Sequence, residues 1–327
     1  MDLSKAFDII PHDLLVAKLD AYGFTMEACE LVHSYLLNRN QRVKLGNFRS
    51  DWLCMKKGVL QGSLTGPLLF NIFINDLLVT LADECTVYNY ADDNSLSVCH
   101  KDPNVLKSLL EKSANTAISW FDDNYMKANP AKFQGIVMSP SRNNQVDLEF
   151  LLSDGTIIKP SDQVKLLGVN IDNKLNFSYH IKDLSAKCAK QTNVIARLSK
   201  ILTTECKKNI FNSFIVSNLN YCCNLYHFCR MEDAIILERI QKRALRYVFN
   251  DFDSNYNELL SKCKRQTLHA LRTTSLLECV FKIKHGLLPP MEASFFMQSH
   301  HDYDLRCSNT LVQSRANTTN FGLNSLK

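Results

Sequence analysis

Two β-forming runs, Thr86-Val87-Tyr88-Asn89-Tyr90 and Asn94-Ser95-Leu96-Ser97-Val98, lie so close together that only a reversal of the chain can join them. The stretch therefore predicts an antiparallel hairpin with Asp92-Asp93-Asn94 as its turn, which would carry both carboxylates at the tip. Adjacent like charges repel. Such a pair belongs either in a solvated turn or where a cation sits among the oxygens.

Two further segments bear on that choice. Upstream, Asp2-Leu3-Ser4-Lys5-Ala6-Phe7-Asp8 sets an acidic residue ahead of an aromatic one. Between the acidic sites, Gly58-Val59-Leu60-Gln61-Gly62-Ser63-Leu64-Thr65-Gly66-Pro67 is a glycine-rich turn leading into the apolar run 68–81. In this order the three segments resemble the palm of reverse transcriptases, most closely those of non-LTR (LINE-type) retrotransposons. The family's stretches read approximately Asp-Leu-Ser-Lys-Ala-Phe-Asp, Gly-Val-Pro-Gln-Gly-Ser-x-Leu-Gly-Pro and Tyr-Ala-Asp-Asp. Leu60 stands where the family usually has Pro, and Thr65 where Leu is common. The fold class implied is α+β, an antiparallel palm sheet with packed helices followed by a helical thumb and C-terminal helical region.

The activity implied is that of an RNA-directed DNA polymerase, in which a primer 3′-hydroxyl attacks the α-phosphate of a dNTP on an RNA template. Two divalent ions roughly 3.5–4 Å apart can stabilise the attacking and leaving oxygens together. Mg2+, with Mn2+ as a substitute, prefers carboxylate and phosphate oxygens. The family pattern assigns Asp2, Asp92, Asp93 and the backbone carbonyl of Leu3 as its ligands here. The same resemblance puts Phe7 under the incoming sugar as a gate against a 2′-hydroxyl, a core phenylalanine being the equal alternative, and leaves Asp8 a structural role. Gln61, Gly62 and Tyr90 fall to nucleotide binding, the glycine allowing close backbone approach. In the family's Asn-x-x-Lys-x-Asn-x-x-Lys-Thr segment, the lysine expected to protonate departing pyrophosphate is Lys132, with Lys127 as competitor and Phe133 in place of Thr. Leu167 and Gly168, in an apolar strand over 164–172, match the primer grip or serve as core packing.

Charge divides unevenly. Residues 1–175 carry 17 Lys+Arg against 21 Asp+Glu, a net −4, and residues 176–327 carry 21 against 12, a net +9. A basic half beside an acidic one suits a protein that holds phosphate backbones with one part and metal ions with the other. In the predicted helix 183–202, Leu184, Cys188, Val194, Ile195, Leu198 and Ile201 form an apolar face while Lys187, Lys190, Arg197 and Lys200 occupy another stripe. In 237–249, Arg239, Lys242, Arg243 and Arg246 cluster opposite Leu237, Ile240, Ala244 and Val248. Both faces are either nucleic-acid contacts or solvated surface.

The coarse organisation is a palm over 1–175 and a helical region over 176–327, with 308–327 expected to be poorly ordered. Helices are predicted at 14–22, 26–37, after Pro67 and from 105 to 124, strands at 42–45, 52–56 and 134–138, and a loop at 139–145. The 46% of apolar residues suffices for one or two cores, yet no run is long and uninterrupted enough for a bilayer, so no membrane partner is expected. With no apolar leader after Met1, an intracellular location, nucleus or cytoplasm, is the default. The twelve cysteines contain no Cys-x-x-Cys pair and read as reduced, mostly buried residues. Because Met1 immediately precedes Asp2, the family's fingers and endonuclease are expected to fall outside this chain. The second class of function is then a silent fragment that binds RNA or DNA through its basic helices; oligomeric state is not legible.

Overall fold

Residues 1, 3–139 and 148–288 are described by the computed structural model. Asp2, most of the predicted 139–145 loop and the 308–327 tail lie outside the described residues. The chain divides into two units, Met1–Gly135 with Gln145–Ser161, and Ile136–Asn144 with Asp162–Lys327. Helices alternate with short antiparallel strand pairs, each two-stranded among the described residues.

In the first unit the helices start and stop where local chemistry directs. Helix α1 (His12–Ala21) ends at Gly23, whose φ of 84° permits the reversal. Thr25 caps α2 (Met26–Leu36) by accepting from Ala28 N, and Asp102 with Pro103 opens α4 (Pro103–Asp123). Between them, α3 (Thr65–Thr80) buries Leu69, Phe70, Phe73, Ile74 and Leu77 on one stripe. That stripe meets Leu15 and Leu19 of α1 and Ala117, Trp120 and Phe121 of α4 in a single core. Lys18 crosses this core's edge: its Nζ donates to both Asp76 oxygens at 2.8 Å and lies 4.4 Å and 4.6 Å from the Phe73 and Trp120 ring centroids. Burial lowers its pKa, and the Asp76 carboxylate opposes that shift.

Residues 40–54 form a ribbon that differs from the predicted strands. Strand β1 (Asn40–Gln41) pairs with β4 (Leu53–Cys54), and β2 (Lys44–Leu45) with β3 (Phe48–Arg49). The inner turn is Gly46-Asn47, with Gly46 at φ 58°. Arg42, Trp52 and Lys56 consequently fall outside the strands. Strands β5 (Thr86–Tyr90) and β6 (Asp93–Ser97) form one hairpin, and β7 (Phe150–Leu151) with β8 (Ile157–Ile158) another. The expected strand over 134–138 does not form. Its backbone link to the β7–β8 segment is Ser161 N to Gly135 O at 2.8 Å, one bond where a strand needs a ladder.

The second unit opens with the hairpin β9 (Gln163–Leu166) and β10 (Val169–Asp172). The central pair is α5 (Ser178–Leu198) with α8 (Met231–Phe249); between them run α6 (Thr204–Ile210), a π-helical stretch over Phe211–Val216 and α7 (Ser217–Asn220). Helices α9 (Tyr256–Cys263) and α10 (Leu268–Lys284) follow. Ile181, Leu184, Cys188 and Ile195 of α5 pack with Leu237, Ala244, Leu245 and Val248 of α8 around Phe211, Ile215 and Tyr226. Two residues of the predicted apolar face are exposed: Val194, within α5, at 47%, and Ile201, beyond the helix end at Leu198, at 78%. The described cysteines are free, but only Cys29, Cys188 and Cys223 of them are buried, fewer than expected. Burial pushes the Cys188 thiol up to about 11.

Candidate functional site

The acidic hairpin turns one residue earlier than the sequence suggests. Its register runs from Thr86↔Ser97 to Tyr90↔Asp93, so Ala91-Asp92 is the turn and Asp93 already belongs to β6. Ala91 has φ 51°, the sign that the first central residue of a type II′ turn requires, at about 1–2 kcal/mol for a residue with a Cβ. Tyr90 and Asp93, paired across the strands, share the exposed face; Val87, Leu96 and the pair Asn89↔Asn94 take the other. Asn94 Nδ2 donates to Asp92 O at 3.0 Å, bracing the turn. Asn89 is less well served, for both its amide atoms are buried without a partner among the described residues. Asn89→Val is therefore expected to raise stability by about 1–2 kcal/mol in a urea titration, since it removes two desolvated polar atoms.

Chain-distant segments meet at this hairpin. Met1 N donates to Asn94 O at 2.5 Å, and Asn94 N returns to Met1 O at 3.4 Å. On its other side, Leu3 pairs with Ala128, and Ser4 N donates to Lys127 O at 2.9 Å. Both neighbours of Asp2 are thus held, Met1 beside Asp93's strand and Leu3 beside the segment that leads to Lys132. Lys132 closes a 3-10 turn, Pro130–Lys132, and both it and Lys127 are exposed. Among the described residues no group of three or more His, Cys, Asp or Glu is arranged to hold a metal ion.

The glycine-rich loop is sewn onto the segment after Asp2. Gly58 N donates to Ile10 O at 2.7 Å, Val59 N to Phe7 O at 2.8 Å, and the buried His12 ring bonds Gly58 O through Nε2 at 2.8 Å. Gln61 Nε2 donates to Asp8 Oδ1 at 3.0 Å. Within the loop, Ser63 Oγ donates to Leu60 O and accepts from Gly66 N, while a Cβ at Gly66 would stand 2.6 Å from Leu60 O. Gly62 instead needs its freedom for φ 81°, with open space beside it. Half-buried Phe7 stacks on Phe70 of α3, centroids 4.2 Å apart. A cleft of about 810 Å3 opens here, with Lys5, Asp8, Lys56, Lys57 and Gln61 on its walls. Asp92 and Asp93 do not line it.

In the second unit Leu167 and Gly168 are not strand residues. They are the two-residue turn of the β9–β10 hairpin, at φ 46° and 84°, the positive pair of a type I′ turn. Tyr221 pins the tip by donating its hydroxyl to Leu167 O at 2.6 Å. Of the expected basic residues, Lys187, Lys190, Arg197, Lys200, Arg239 and Arg243 are exposed, Lys200 beyond the end of α5, while Lys242 and Arg246 are half-buried. Lys187 Nζ donates to Asn218 and Arg243 Nη2 to Asn193, so these two are tethered to neighbouring helices. The sequence reading missed another basic surface. In the ribbon every residue from 40 to 54 is exposed, Phe48 at 82%. Arg42 lies 4.3 Å from the Trp52 ring centroid. Six basic residues (Arg39, Arg42, Lys44, Arg49, Lys56, Lys57) against Asp51 give 39–57 a net +5; their spacing, interleaved with aromatics, was the available signal.

The profile of the reverse transcriptase (RNA-dependent DNA polymerase) family matches residues 1–171. The chain is 26% identical, over 257 residues, to the probable RNA-directed DNA polymerase from transposon BS of Drosophila melanogaster, covering 76% of this chain and 28% of that protein. It is 26% identical over 258 residues, with the same coverage, to the RNA-directed DNA polymerase from the mobile element jockey of that fly. To the retrovirus-related Pol polyprotein from type-1 retrotransposable element R2 of Popillia japonica it is 25% identical over 191 residues, 55% of this chain and 30% of the relative. The chain spans under a third of the length of these relatives.

Proposed function

The chain belongs to the reverse transcriptase (RNA-dependent DNA polymerase) family, and from that premise we propose that it is the palm and thumb of a non-LTR retrotransposon polymerase. Its substrates are dNTPs, its partners a DNA primer and an RNA template. The observation that carries this reading is the mutual hydrogen bonding of Met1 and Asn94, which sets the residue before Asp2 against the residue after Asp93. Asp92 and Asp93 offer hard oxygen donors at a braced turn, a donor set that fits Mg2+ or Mn2+ rather than a soft metal. When bound, such ions would stabilise the attacking and leaving oxygens.

The chain's own groups take the remaining tasks. Asp2, Asp92, Asp93 and the Leu3 carbonyl would hold the ions. The ring of Phe7, backed by Phe70, packs under the sugar, and Gln61, Gly62 and Tyr90 meet the nucleotide. Lys132, or Lys127 in its stead, donates a proton to pyrophosphate. The pinned tip at Leu167 and Gly168 grips the primer end. Exposed cations on α5 and α8, and those of the 39–57 ribbon, run along phosphate backbones.

Primer extension on an RNA template with Mg2+ or Mn2+ tests the assignment. Asp92→Ala is expected to lower extension at least about 100-fold, the loss of several kcal/mol of charge stabilisation, while salt-sensitive binding of the primer–template persists. Equal extension by both proteins would refute the metal assignment.

A further inference from the structure

Asp8 is the acidic residue to which the resemblance gives no chemistry, yet it lines the same cleft as Gln61 and is bonded to it. Its backbone is fixed independently of its side chain. Asp8 N donates to Lys5 O at 2.8 Å at the close of the 3-10 turn Ala6–Asp8. Gly58 also lies so close that a Cβ there would stand 2.7 Å from Asp8 O. With the main chain held in this way, the carboxylate accepts from the side-chain amide of Gln61.

An amide has two chemically different ends, and an unrestrained glutamine can present either. An ionised carboxylate only accepts, so pairing with Asp8 directs Nε2 toward it and leaves Oε1, the amide's only acceptor, for a ligand in the cleft. Lys5, Lys56 and Lys57 make the same cleft attractive to a polyphosphate. We propose that Asp8 is a positioning residue: it orients the Gln61 amide for a nucleoside triphosphate in this cleft. The inference rests on the polymerase reading, since that reading supplies the nucleotide.

The test is a double-mutant cycle on the full chain. Its readouts are equilibrium binding of dTTP with Mg2+ and, in parallel, the nucleotide KM and kcat of primer extension. Asp8→Ala is expected to weaken dTTP binding about tenfold, the worth of one hydrogen bond to a charged group, and to raise KM with kcat little changed. Gln61→Ala should do the same, and adding Asp8→Ala to it should cost nothing more. Asp8→Asn, whose Oδ1 still accepts from Nε2, should restore most of the affinity; a role confined to holding the fold predicts no dependence on Gln61. Multiplying effects of the two alanine variants, with wild-type binding intact, would overturn the positioning role and leave the polymerase reading standing. Absence of dTTP binding by the wild-type chain would overturn both. A urea titration of each variant reports whether it is folded, and Asp8→Asn carries the test should Asp8→Ala fail to fold.

Discussion

Alanine at position 58 is expected to destabilise the first unit by more than about 3 kcal/mol, whereas alanine at position 62, four residues on in the same loop, should cost about 1 kcal/mol. Both glycines have positive φ, 89° and 81°, so both substitutions carry the left-handed penalty. They differ in what a Cβ would meet. At Gly62 nothing lies within 4 Å, while at Gly58 the backbone O, C and Cα of Asp8 stand at 2.7, 2.8 and 2.8 Å. A side-chain tip could swing aside, but this main chain cannot without breaking the bonds of Gly58 to Ile10 and of Val59 to Phe7. Overpacking adds about 1–3 kcal/mol to the conformational cost. Both tryptophans, Trp52 and Trp120, belong to this unit, so their fluorescence in a urea titration isolates it from the helical unit. Equal destabilisation at the two positions would mean that the close approach is not why position 58 is glycine.

That contrast marks where the sequence stops being readable. The stop of α1 at Gly23 and the start of α2 at Met26 were legible because their signals are local, whereas α1 and α4 each begin two residues before the expected 14 and 105, α4 at Pro103 with Asp102 as its cap. The acidic hairpin was legible from two β-forming runs in close succession. Its turn was misplaced by one residue because alanine gives no hint of the positive φ that Ala91 adopts. Leu167 hid a turn for the same reason: an apolar side chain in a run of apolar residues reads as strand, and only the register Leu166↔Val169 reveals the reversal. Ile136 and Val137 have strand propensity but no partner ladder among the described residues, so the strand expected there is missing. Gly58 and Gly66 could be read as loop glycines, but their purpose depends on Asp8 and Leu60 folding back against them. The hydrogen bonds that join the two motifs, of Gly58 to Ile10 and Val59 to Phe7, are a tertiary fact, and no spacing within either motif encodes them.

Asp172→Ala is expected to cost the second unit about 3–4 kcal/mol, although Asp172 touches no proposed substrate. Its carboxylate is 3% exposed and accepts three backbone N–H bonds, from Lys174 at 3.1 Å and Asn176 at 3.2 Å on Oδ1, and from Phe177 at 2.7 Å on Oδ2. The loop it holds is strained, since Leu175 and Phe177 both have positive φ, 50° and 58°, each at about 1–2 kcal/mol. Removing the acceptor leaves three donors unpaired and nothing to sustain that strain, with each lost bond to a charged group worth about 1.5–3 kcal/mol before the loop relaxes. Because Phe177 precedes the first turn of α5, the damage should pass into the helix that packs on α8. Amide hydrogen exchange is the suitable probe, and protection across α5 should fall on the order of 100-fold. Asp172→Asn keeps one acceptor oxygen and should lie between wild type and alanine, better placed for the two N–H groups on Oδ1 than for Phe177. Unchanged exchange at the start of α5 in the alanine variant would show that helix packing alone, and not the aspartate, holds the loop in its left-handed turns.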